Sequence, residues 1–157
     1  MSDLTPNLPE VVAEVRLLFE RYEQALVDKD VAVLDQTFWR SPHTIRYGLH
    51  EHGYGFDEIH AHRMRRPPGP GTKESRRRLE IPTLGRDFAT VNLEFKVRGQ
   101  DLVGRQSQTW VRFPEVGFQV VSAHVTTVSR RSRAPPLLLS SSGAAVDPAW
   151  PTRRMSP

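Results

Sequence analysis

The sequence predicts an α+β fold, a curved antiparallel sheet wrapped around a long N-terminal helix. Apolar residues near the N-terminus recur at helical spacing, those past residue 75 alternate at strand spacing, and the two patterns are largely segregated. Segregated helices and strands mark α+β rather than α/β architecture. The 157 residues suit one domain with room for a real core.

Leu8 to Lys29 is the first expected helix. Val11, Val15, Leu18, Tyr22 and Leu26 form a stripe at spacings of four, three, four and four, and Pro9 suits a first turn. A second, short helix follows in "DKDVAVLDQTFW", with Asp30 as cap and Val31, Leu34 and Phe38 as stripe. Ser41-Pro42 stops it. His43 to Tyr47 reads as a strand, "LHEHGYG" as a turn or short second strand, and Phe56 to Arg66 as a third helix. "RPPGPGT" is a loop by composition.

Four strands complete the domain: Ser75 to Pro82, Asp87 to Val97, Leu102 to Phe113 and Phe118 to Val128. In the second, Ala89, Val91, Leu93, Phe95 and Val97 alternate with polar neighbours. Short turns such as Glu115-Val116-Gly117 imply an antiparallel meander. Residues 1–128 are thus expected to be one domain. Residues 129–157, rich in Ser, Pro and Arg and without period, read as a disordered basic tail. A sheet curved around a helix makes a cone, and the space between them is where a small ligand would sit.

The formal charge of +4 belongs to that tail, which carries five arginines against one aspartate. Residues 1–128 balance at 17 basic and 17 acidic side chains, so the domain has no basic excess with which to bind nucleic acid. The chain lacks cysteine, which excludes disulfides, thiolate catalysis and cysteine-bound zinc and fits a reducing cytoplasm. It has neither an apolar run of signal-peptide length at its start nor the ~18–20 apolar residues of a membrane span.

Tyr22 lies on the apolar stripe and should face the sheet, either as a core tyrosine tied to a backbone carbonyl or as a functional phenol. Arg46 sits mid-strand, sharing a face with Thr44, where a charge needs a partner. An ordinary acid on an open face would serve, and so would a ligand carboxylate gripped by the guanidinium fork. "GRQSQTWVRF" is polar on both faces, one carrying Arg105, Ser107 and Thr109, the other Gln106, Gln108 and Trp110. That suggests a wet pocket, a subunit interface, or both. His124 is expected to share a face with Phe118, Val120 and Ser122, as a structural or a catalytic imidazole.

His50, His52, His60 and His62 lack the helical i,i+4 pairing and carboxylate spacing of a metal site, so no metal is expected. Neither a phosphate-binding glycine loop nor a Gly-x-Ser-x-Gly elbow occurs.

The segments "FERYEQALVDKDVAVLDQTFW", "SPHTIRYG", "YGFDEI", "LGRDFATVNLEF", "GRQSQTWVRFPE" and "VVSAHVT", in order over about residues 9 to 128, resemble a known family. It comprises small proteins of cyanuric-acid and oxalurate degradation, typified by 1,3-dicarboxyurea deamidase. The resemblance implies the cone-shaped nuclear-transport-factor-two-like (SnoaL-like) fold. It also implies an enzyme that converts 1,3-dicarboxyurea to allophanate, with the key tyrosine and arginine at Tyr22 and Arg46; on that resemblance Arg46 is expected to point into a closed pocket with Tyr22, its partner being the substrate's carboxylate rather than a residue of the protein. Arg63, Arg105, Ser107, Gln108 and His124 are the further substrate-binding candidates, and neither metal nor organic cofactor is required. The alternatives are an oxalurate-branch accessory protein or a non-catalytic anion-binding association module of the same fold. Isomerase chemistry would need a carboxylate base in an apolar cavity, against which the polar "GRQSQ" strand speaks. The expected partners are a small anionic urea-type substrate and a second copy of the chain, docked where Trp110 and the mixed face around it need cover.

Overall fold

The computed structural model describes residues 4–129. The expected tail falls almost wholly outside the described residues. The element order is α1 (Pro9–Asp28), α2 (Val31–Thr37), β1 (Ile45–Tyr47), β2 (His52–Tyr54), α3 (Phe56–Arg65), β3 (Arg76–Glu80), β4 (Thr83–Leu84), β5 (Phe88–Lys96), β6 (Leu102–Phe113) and β7 (Gly117–Ser129). Pro9 opens α1, and Lys29 closes it in the left-handed conformation, its N–H donating to the Ala25 carbonyl. Asp30 caps α2 by accepting from the Val33 N–H at 3.1 Å. Among the described residues no helix is long and apolar enough to cross a membrane.

The strands form one open sheet in the order β2-β1-β7-β6-β5-β3, with β4 added beside β5. β5, β6 and β7 are the expected antiparallel meander. The sheet is not antiparallel throughout, however: β1 runs parallel to β7. No hairpin joins these two strands, so nothing local dictates their direction. The parallel pairing begins earlier, where Phe38 bridges Val120 and the Trp39 N–H reaches the Val120 carbonyl.

Helix α1 lies across the concave face, burying Val11, Val15, Phe19 and Tyr22 against Val91, Leu93, Trp110 and Val120. Two arginines rivet it to the strands. Arg112 of β6 holds Glu14 through two hydrogen bonds of 2.9 and 2.7 Å, and Arg76 of β3 holds Glu20 at 2.5 and 3.2 Å. Each guanidinium also lies over a ring, Phe118 and Phe19 respectively.

Two expectations about sheet faces change here. Trp110 does not sit on an exposed face needing cover; it is 0% exposed, inside the core, and its Nε1 donates to Gln108 Oε1. A β-bulge in β7 also breaks the simple alternation. Thr109 pairs with Ser122 but Trp110 with Val120, leaving Val121 as the extra residue. Phe118 and Val120 before the bulge, and Ala123 after it, therefore all point inward, while Ser122 and His124 point out.

Candidate functional site

Between α1 and the sheet lies a cavity of about 740 Å³, lined by residues of both α1 and β1. Helical spacing brings Tyr22, Glu23 and Leu26 of α1 to its wall. The pleat of β1 brings Arg46, which pairs across the sheet with the buried Gly53 on one side and Ala123 on the other, so it shares their inward face. Gln106 of β6 and Val125 of β7 form the floor, and the β1–β2 and β5–β6 hairpins with the α3–β3 loop make the rim.

Tyr22 is 5% exposed, with its ring 6.4 Å from Phe19 and 6.0 Å from Phe38. Among the described residues its hydroxyl makes no hydrogen bond, so no backbone carbonyl ties it down. Arg46 does have a protein partner, against the expectation that only a ligand would supply one. Its Nη1 donates to Glu51 Oε1 at 2.6 Å. Five residues of hairpin are enough to swing a carboxylate back onto the strand. His62 of α3 reaches the same oxygen with Nε2 at 3.3 Å. Burial acts to raise the Glu51 carboxyl, but the hydrogen bond and charge of Arg46, with His62, together hold it below the usual glutamate range. Burial pushes the His62 imidazole down, only partly offset by Glu51.

The other sequence candidates divide. Arg63 is buried against Phe38, its guanidinium 4.2 Å from the ring centroid and its Nη1 donating to Asp35 Oδ1 at 2.9 Å. Burial pushes it below the ordinary arginine range. It supports the layer behind Tyr22 rather than lining the cavity. Gln108 is fully buried beside Trp110, also off the cavity. Arg105, Ser107 and His124 lie on the exposed convex face, where Ser107 donates to Asn92 and His124 packs edge-on against Tyr47. The bulge at Val121 accounts for His124, because it reverses the alternation that put the imidazole with Phe118 and Val120. Arg105 and Ser107 follow the ordinary pleat, opposite the buried Gln106 and Gln108.

Sequence reading missed Glu23, Glu51, Gln106 and the rim cations Arg66, Lys96 and Arg98, which all line the cavity. Glu23 had a legible signal: it lies four residues after Phe19 and three before Leu26, on the apolar stripe, where an acid is out of place. The lining holds four fixed cations, Arg46, Arg66, Lys96 and Arg98, against the carboxylates of Glu23, Glu51 and Glu74. His60 and His62 each face a different carboxylate, Asp35 and Glu51. A concave, part-apolar cavity with fixed guanidinium groups and a phenol can bind a small anion and move a proton at it.

Two solved bacterial structures match closely. A cystatin-like fold protein from Burkholderia xenovorans LB400 is 41% identical, covers 80% of this chain and 98% of its own, and gives a TM-score of 0.73. A protein of unknown function from the DUF3225 family of Pectobacterium atrosepticum is 44% identical, covering 79% and 95%, with the same TM-score. A nuclear transport factor 2 superfamily protein from Salmonella enterica shares the fold at 20% identity, TM-score 0.63, over 79% of this chain and 95% of its own. The comparison with curated proteins gave no match. The family model described as AtzH-like matches residues 5–131, nearly the whole described domain. With a curved, unclosed sheet of nuclear-transport-factor-2-like type around its N-terminal helix, the chain belongs to the AtzH-like family.

Proposed function

We propose that the protein is a hydrolase that removes an N-carboxylate from a small carboxylated urea, 1,3-dicarboxyurea being the substrate that its sequence resemblance favours. The observation that carries this reading is that Tyr22 of α1 and Arg46 of β1, far apart in sequence, line one cavity. Arg46 anchors the carboxylate that the product retains and polarises the urea carbonyl beside it. A ligand carboxylate reaching Arg46 takes over the position of Glu51 Oε1. The nitrogen–carbon bond to the other carboxylate then breaks. Its electron pair stays on nitrogen, which takes a proton from the Tyr22 hydroxyl, and the carboxyl carbon leaves as carbon dioxide, or as bicarbonate if water adds. Solvent returns the phenol proton. No step calls on a metal or an organic cofactor.

The test is release of carbon dioxide and allophanate from 1,3-dicarboxyurea by the wild type, Tyr22→Phe and Arg46→Ala. Loss of the proton donor is expected to lower kcat by about a hundredfold or more, and loss of the guanidinium to raise KM by on the order of tenfold to a hundredfold. Full turnover in folded variants refutes the roles. Saturable anion binding without product favours a non-catalytic binding module.

A further inference from the structure

Beside Tyr22, on the same cavity wall, Glu23 is a side chain that the scheme above leaves unused. It is 3% exposed. Its Oε2 accepts two hydrogen bonds from one residue, the Thr72 backbone N–H at 2.9 Å and the Thr72 hydroxyl. Its Oε1 is buried and has no partner among the described residues. A buried oxygen in that state is costly, and cavity walls are where such groups meet a ligand.

The loop that delivers Thr72 is built for the purpose. "RPPGPGT" folds back on the end of α1, with the Gly69 N–H donating to the Leu26 carbonyl at 2.9 Å. Gly71 adopts φ +64°, and a Cβ there would stand 2.7 Å from Val27 Cγ2, so only glycine lets the loop approach so closely. What composition marks as a plain linker is a clamp that places two donors on one carboxyl oxygen.

With both donors on Oε2, that atom is the carbonyl-type oxygen, and a proton on the group belongs on Oε1, the buried oxygen that has no partner among the described residues. The charges acting on Glu23 are of opposite sign and partly offset one another. Arg76 of β3 favours the carboxylate and Glu20 of α1 disfavours it, and these two are paired with each other. Burial is the largest influence and raises the Glu23 carboxyl above the usual glutamate range, with the Thr72 bonds opposing it. A neutral acid also suits an anion site, since a third carboxylate would repel the ligand that Arg46, Arg66, Lys96 and Arg98 attract.

We propose that Glu23 is a ligand-binding residue of this cavity, a neutral carboxylic acid that donates a hydrogen bond from Oε1 to an acceptor oxygen of the bound anion. The inference rests on the cavity being an anion site, as in the reading above, but not on any reaction. Glu23 makes the site selective for anions carrying an acceptor oxygen beside the carboxylate held by Arg46, the pattern of a ureido acid.

The experiment is calorimetric titration of the full chain with oxalurate, a stable ureido carboxylate, across pH 5.5–8.5. The wild type is compared with Glu23→Gln, Glu23→Leu and Arg46→Ala. Wild-type affinity is expected to fall as pH rises through the Glu23 titration. Glutamine keeps its oxygen on the Thr72 donors and offers an N–H in place of O–H, so E23Q holds affinity within about threefold of the wild type and lacks that decline. Any dependence contributed by His50 or His62 persists in E23Q, so the difference between the profiles belongs to Glu23. E23L leaves the two Thr72 donors without their acceptor, so it melts below E23Q, and in its folded form it binds on the order of tenfold to a hundredfold more weakly. In the free protein, the Glu23 side-chain carboxyl carbon, assigned by its loss in E23Q, titrates above the ordinary glutamate range. Identical wild-type and E23Q profiles, or a Glu23 carbon that titrates normally, overturn the inference. Affinity that depends on Arg46 but not on Glu23 overturns it while sparing the anion-site reading. Absence of oxalurate binding to the wild type overturns both.

Discussion

Gly48→Ala should tighten the binding of a small carboxylate by about fivefold, although alanine brings neither a charge nor a hydrogen bond to the cavity. A Cβ built at Gly48 falls 1.9 Å from Glu51 Oε1, 2.2 Å from its Cδ and 2.6 Å from Oε2. Gly48 is not among the positive-φ glycines, so alanine accepts its backbone. All three close atoms belong to the free end of one flexible side chain, and moving that end is the cheap response. The hairpin itself stays, held by the Gly48 N–H on the Glu51 carbonyl at 2.8 Å. What is lost is the 2.6 Å contact of Glu51 with Arg46, in which the carboxylate side chain is 28% exposed. A charge-assisted bond that wet contributes about 1 kcal/mol. A ligand carboxylate competing for Arg46 no longer has to displace it, and 1 kcal/mol is about fivefold in Kd. Glu51→Gln, which keeps the shape and removes the charge, should move affinity the same way. Calorimetry with oxalurate measures the gain, and a melt should show a fall of about 3 °C from the lost pair. Unchanged or weaker binding in both variants, with the melting temperature lowered as expected, would show that Glu51 helps to cradle the ligand instead of competing with it.

The remaining expectations concern stability, the convex face and assembly. Glu23 has a folded-state pKa above its unfolded one, so stability is greatest below the unfolded value of about 4.3 and falls as pH rises through the folded value. Glu23→Gln should abolish that fall in urea melts taken from pH 4 to 8; an unchanged profile counts against the burial argument. Glu20, held down by its Arg76 hydrogen bond, slopes the other way, its contribution being lost as pH drops below the ordinary glutamate range. Phe19→Ala, at a 0% exposed site beneath Arg76, should cost about 3–5 kcal/mol by denaturant melt. Arg105→Ala and His124→Ala should leave oxalurate affinity within about twofold, because both side chains lie on the convex face; a tenfold loss would mean that this face reaches the ligand. A homodimer through that face remains our proposal, now resting on Tyr47 and Tyr54 instead of Trp110, and light scattering of Tyr54→Lys against wild type would test it.

Periodicity, with the turn and cap signals, located the longer elements but not the two-residue β4. The α1 stripe, the β5 alternation and the 102–113 strand came out within a residue or two of their ends, because helix and strand repeats are local properties of the chain. The order of motifs pointed to the family, and that resemblance singled out Tyr22 and Arg46, which the local pattern by itself left open between a structural and a functional reading. What tertiary structure alone decided was which side chains share a space. One inserted residue at Val121 reversed the faces of β7 and moved His124 out of consideration. A five-residue hairpin set Glu51 on Arg46, and the prolines and glycines of residues 67–72 set Thr72 on Glu23. These contacts depend on register, on backbone conformations open only to glycine and on separations of up to 49 residues, none of which is encoded in the repeat that reveals a helix or a strand.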